Sequence, residues 1–119
     1  MAAPNIVNVS TITGKTSPLI LTTSNQDIVT NTASSGRVYK INSLIVSNVS
    51  GSAAAQVTAS IIRSSTAYSL ASTIYVPANS TLVVISKDMT IYLEEGDVLR
   101  VISSANNALH AVASYEIIS

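Results

Sequence analysis

Cysteine, tryptophan and phenylalanine are absent, and charge is scarce: six basic and six acidic residues in a chain of 119, with a formal net charge of zero. Each absence closes off a class of function. Without cysteine there are no disulfides, thiolate metal sites or cysteine nucleophiles, and the redox compartment leaves no mark on the sequence. Lys15, Arg37, Lys40, Arg63, Lys87 and Arg100 stand singly, so no basic run tracks phosphates. Tyrosine is the sole large aromatic and the tyrosines form no stacking motif with basic neighbours, so nucleic acid is not an expected partner. The apolar runs, such as Leu82-Val83-Val84-Ile85, are too short for a membrane helix. Residues 1–5 lack the positive flank and apolar block of a secretory signal, so no membrane partner or export is expected. The four glycines are isolated, which removes glycine-rich phosphate loops, Walker patterns and nucleophile elbows; no cofactor is expected.

What the chain does have is serine, threonine and β-branched residues in alternation. The residues from 89 to 118 hold three strand-like runs separated by two breaks. Glu94-Glu95-Gly96-Asp97 divides Ile91-Tyr92-Leu93 from the segment Val98, Leu99, Val101 and Ile102, and reads as a hairpin turn. Residues 103–107 form the second break, and the whole reads as an antiparallel meander. Earlier, residues 5–13 read as a strand or extended arm stopping at Gly14-Lys15, and Pro18 suits an edge strand or a strand's first residue. Residues 38–49 form the longest strand, with Tyr39, Ile41, Ile45 and Val49 as the better core face against Val38, Leu44 and Val46. Residues 55–63 alternate with Val57, Ala59 and Ile61 inward, and residues 68–76 form a weaker strand ending at Pro77. Residues 81–86 are nearly all apolar, the pattern of a strand covered on both faces.

Eight to ten short strands at spacings of about 8 to 12 residues, with no helix, predict an all-β fold. The expected architecture is an antiparallel two-sheet β-sandwich or jelly roll in a single domain, with a closed barrel as its rival. Residues 1–13 are assigned to the arm and 14–119 to the sandwich. So little charge favours association, and two explanations stand beside each other: an ordinary sandwich with a hydroxyl-rich surface, or a surface covered by neighbouring subunits.

Three groups carry candidate chemistry. His110 and Glu116 share a strand face but lie about 20 Å apart by strand rise, too far for a base and its orienting partner, so a half-exposed strand histidine is expected. Glu94, Glu95 and Asp97, with Asp88 nearby in sequence, offer oxygen ligands for a hard cation, but the same residues describe a solvated turn and match no EF-hand spacing. No metal site is therefore assigned. Asn8-Val9-Ser10, Asn48-Val49-Ser50 and Asn79-Ser80-Thr81 fit the glycosylation acceptor pattern, as chance provides in a chain so rich in these residues. No catalytic residue is assigned, and an enzyme is not expected.

The order YKINSLIVSNVSGSAAAQVTASI, then YVPANSTLVV, IYLEEGDVLRV and a terminal SYEII resembles small all-β virion proteins of tailed bacteriophages, particularly those infecting cyanobacteria. The resemblance covers residues 38–118 and consists of strand and turn patterns. It implies a structural protein of the virion, assembled in the host cytoplasm, that associates with itself as a trimer or other symmetric oligomer. Its expected role is a capsid decoration or cement protein bound to the major capsid protein. The alternatives are a tail, neck, baseplate or fibre-base component, and a carbohydrate-binding jelly roll using Tyr39, Tyr68, Tyr75, Tyr92 or Tyr115. Pro4, Ile6, Val7 and Val9, apolar and with few charges near them, are the expected contacts with a neighbouring subunit.

Overall fold

The computed structural model describes residues 10–119. Nine strands run in order: β1 (Ile12–Ile20), β2 (Gln26–Thr30), β3 (Val38–Asn48), β4 (Ala55–Arg63), β5 (Thr66–Val76), β6 (Thr81–Ile85), β7 (Ile91–Leu93), β8 (Val98–Ser103) and β9 (Leu109–Ile118). A single 3₁₀ turn, Lys87–Met89, separates β6 from β7. One sheet has the order β1-β9-β3-β6, with β7 also on β3, and the other has the order β2-β8-β4-β5. Every pairing is antiparallel. β6 and β7 lie end to end along β3, so they act as one strand interrupted by the 3₁₀ turn. With those two merged, the chain crosses between sheets at every connection except the β4–β5 hairpin, in the manner of an eight-stranded jelly roll.

The core is the space between the sheets. Alternation places Leu99, Val101 and Ser103 of β8 inward, opposite Leu109, Ala111, Ala113 and Tyr115 of β9. Leu21, Ile41, Leu44, Val46, Val57, Ile85 and Leu93 complete it, each almost wholly removed from water. With no Phe or Trp, the one aromatic contact is Tyr39 stacked on Tyr115, ring centroids 5.8 Å apart, and Tyr115 shares a 3.0 Å hydroxyl hydrogen bond with Ser17.

Several expectations give way to local geometry. In β3 the core residues beyond Ile41 are Leu44 and Val46, while Ile45 is half-buried and Val49 exposed. The register against β9 shifts between Ile41 and Ser43, so Asn42 is an extra residue that turns the rest of the strand over. β6 is an edge strand and is not covered on both faces: Val83 is 57% exposed. The acidic break does not form a hairpin, because β7 pairs with β3 while β8 pairs with β2 and β4 in the other sheet. Residues 103–107 likewise carry the chain back across to β9, so the expected meander is two crossings. β1 passes through Gly14 and Lys15 without stopping, and Pro18 sits within it, on an edge strand where a missing N–H is tolerated. Ile12 and Thr13 therefore belong to the sandwich, and residues 1–9 lie outside the described residues.

Among the described residues one tight hairpin joins β4 to β5. Arg63 pairs with Thr66 across Ser64 and Ser65, whose φ values of 52° and 63° are those of a type I′ turn. Serine at both positions carries backbone strain that Asn-Gly would avoid.

Candidate functional site

The acidic crossing is the most connected polar feature. Its turn closes with the Asp97 amide donating to the Glu94 carbonyl at 3.0 Å, and Gly96 takes a φ of 90°, which glycine adopts freely. Asn31, fully buried, ties this turn to the loop after β2. Its amide donates to the Asp97 carbonyl, its carbonyl accepts from Gly96, and its side-chain amide donates to the carbonyls of Arg37 and Leu93.

The carboxylates here are committed to the fold. Asp97 is buried, and its carboxylate accepts the Glu94 amide at 2.9 Å and the guanidinium of Arg63 through both Nε and Nη2. Burial by itself would push the Asp97 carboxyl up. The hydrogen bond from Arg63, that from the Glu94 amide and the positive charge of Arg63 together outweigh it and hold the carboxyl below its ordinary value. The bond to Asp97 in turn raises Arg63, which stays charged throughout. Glu94 reaches the same guanidinium at 2.8 Å, and Glu95 turns away to accept the Gly36 amide at 2.8 Å. Among the described residues no three acidic or histidine side chains gather as metal ligands. The candidate cation turn is a clasp between two loops and β4.

The other candidates separate. His110 is exposed on the outer face of β9, with Ile20 and Ser47 as its cross-strand neighbours, while Glu116 accepts from the Asn42 side chain at 3.1 Å and lies 3.9 Å from Lys40. Asn48 is buried and donates to the carbonyls of Ala53 and Val76, so its side chain is not presented for glycosylation. Asn79 is exposed in its turn, and Asn8 lies outside the described residues. So do Pro4, Ile6, Val7 and Val9, the expected partner contacts.

A feature that sequence reading did not single out lies at one edge of the sandwich. Ten large apolar side chains are exposed among the described residues, and seven of them fall between residues 68 and 92: Tyr68, Leu70, Ile74, Tyr75, Val83, Met89 and Tyr92. These residues belong to β5, the edge of one sheet, and to β6, the 3₁₀ turn and β7, the facing edge of the other. Between the two lips opens a cavity of about 370 Å³ lined by Ile61, Arg63, Tyr68, Leu70, Ile91 and Tyr92. The Arg63 clasp forms its polar end. Of the five tyrosines, Tyr39 and Tyr115 are internal structure, Tyr68 and Tyr92 line this cavity, and Tyr75 is the most exposed. The sequence signal was available: from Ser64 to Leu93 the charged residues are Lys87 and Asp88 alone.

These features define a jelly-roll domain with one unfinished edge. No family model matches the chain, and no curated protein does either. A solved structure with the same fold comes from work describing Bacillus endospore appendages as a novel family of disulfide-linked pili. It aligns over 91% of this chain and 85% of its own with a TM-score of 0.53 at 14% sequence identity. At that identity the likeness is one of fold.

Proposed function

We propose that the protein is a non-enzymatic structural subunit that works in many copies, packed against itself and against the proteins of a larger particle. The observation that carries this reading is the concentration of exposed apolar side chains along one edge of an otherwise complete sandwich. A lone domain gains nothing by leaving such a surface in water, whereas an assembly covers it. The carboxylates of the acidic turn are held in structural hydrogen bonds and an ion pair, and His110 has no acidic partner across its strand. The fold neighbour points in the same direction, since it comes from endospore appendages that form pili. With no cysteine, an assembly of this chain is held without disulfides.

The resemblance to phage virion proteins is what supports one particle over others: a capsid decoration or cement protein seated on the major capsid shell, with a tail or neck ring as the second placement. Quantifying the protein on gels of purified particles tests this. A decoration protein is present in hundreds of copies, a tail ring in a few, and absence from particles removes the virion reading altogether.

A further inference from the structure

The four sheet edges differ in what discourages a strand of another chain from joining them. β1 carries Lys15 and, within the strand, Pro18. β2 is only five residues long and has a register shift. The β6–β7 edge is interrupted by the 3₁₀ turn. β5 is eleven residues with no charge and no proline, and an edge of that composition is a template for strand addition.

The register of β5 supplies what its composition lacks. β5 has eleven residues and β4 has nine, yet the two pair from end to end, Ala55 with Val76 and Arg63 with Thr66. The two surplus residues of β5 fall at two bulges. Leu70 has no counterpart between the Ala59–Ala71 and Ser60–Ser69 pairs, and Ser72 and Thr73 together face Thr58. At the second bulge Thr73 takes a φ of 48°, a left-handed conformation unfavourable for a β-branched residue, and its amide donates to the Thr58 hydroxyl at 3.0 Å. The longest regularly paired run left in β5 is four residues, 66–69.

We infer that the two bulges guard the β5 edge: they prevent β5 of a second copy from pairing with it and confine contacts there to side chains. A bulge bends its strand and increases the local twist, so the outward amides and carbonyls of β5 fall out of line with those of a straight partner. The strained Thr73 fits this role, because a conformation that opposes the residue's own preference persists only where the surrounding structure imposes it. The inference holds whichever particle the chain joins. It limits how copies meet within an assembly, since no sheet runs through β5 from one copy into the next.

A variant lacking Leu70 and Thr73 tests the guard, since the remaining residues of β5 then match β4 one for one. Sedimentation velocity over a concentration series measures association, and circular dichroism reports folding. The expected result is a folded variant that associates at least about tenfold more tightly than the parent. Adding Ser69→Lys to that variant, at an exposed position near the middle of the strand, sets like charges against each other and should restore the parent's behaviour. A folded deletion variant that associates no more than the parent overturns the inference, and so does association that survives the lysine. Thr73→Asn keeps the chain length and the bulge, and reads the strain even where the deletion variant does not fold. Asparagine enters the left-handed region readily, so the melting temperature should rise by a few degrees with association unchanged. A melting temperature at or below the parent's shows that the bulge is the relaxed form of this strand, and overturns the guard.

Discussion

Replacing Asp97 with alanine probes the clasp that holds the acidic crossing to β4. The carboxylate is buried and accepts one backbone amide and two guanidinium hydrogen bonds. Its removal leaves the Glu94 amide without its side-chain acceptor, at a cost of about 1–3 kcal/mol. The ion pair adds less than a fully buried one would, because the Arg63 side chain is 48% exposed and keeps Glu94 as a partner. Its share is roughly 0–1 kcal/mol. The total of about 1–4 kcal/mol is a sizeable part of the 5–15 kcal/mol typical of a domain. In a chain of this size that lowers the melting temperature by roughly 4–16 °C. The dependence on pH has a definite sign. The folded Asp97 carboxyl titrates below its unfolded value, so its contribution is complete above a pH of about 4 and fades as pH falls through the lower folded value. Urea unfolding of the parent and of Asp97→Ala at pH 7 and pH 3 measures both effects. The difference between the proteins should be full at pH 7 and smaller at pH 3. A difference under about 0.5 kcal/mol at pH 7 would refute the reasoning, because a surface carboxylate gives no more than that.

Further outcomes follow from the same geometry. Ser65→Gly relieves a φ of 63° in the β4–β5 hairpin and should raise stability by about 0.5–1 kcal/mol in urea; a loss would mean that the serine makes an interaction outweighing its strain. Asn48→Ala removes the donor to two carbonyls and the acceptor of the Ser50 amide, and should destabilise by about 2–4 kcal/mol; a neutral result would show that water replaces the side chain. Calcium at millimolar concentration should leave the melting temperature unchanged, since Asp97 is committed to Arg63 and Glu95 to Gly36; a rise of several degrees would place a cation in the turn.

How much of this was legible in the sequence depends on which interactions decide each feature. Period-two alternation is local, so β4, β8 and β9 can be read directly, and Val57, Ala59, Leu99 and Val101 fall inside as their parity requires. One extra residue defeats the same rule in β3, because Asn42 shifts the parity and sends Leu44 and Val46 inward where Ile45 and Val49 would have gone. Nothing local separates a hairpin from a crossing: Gly96 and three carboxylates make an equally good turn in either case, and the strand that receives β8 lies far away in sequence. The apolar run of β6 signals a strand without saying that it ends up at an edge. For the acidic turn, the sequence supplies the carboxylates but not Arg63, which is 34 residues from Asp97 and reaches it only because β4 neighbours β8. The open edge is legible in part as a charge-poor stretch, and becomes a surface only when the fold brings β5 opposite β6–β7.

Amide hydrogen exchange along β5, followed from dilute to concentrated protein, bears most directly on the proposal that the protein works packed against copies of itself. Amides of Thr66–Val76 and Ile91–Leu93 should exchange more slowly as concentration rises, while those of Ile12–Ile20 keep their rates. Rates along β5 that do not respond to concentration, or protection that develops on β1 instead, would contradict it.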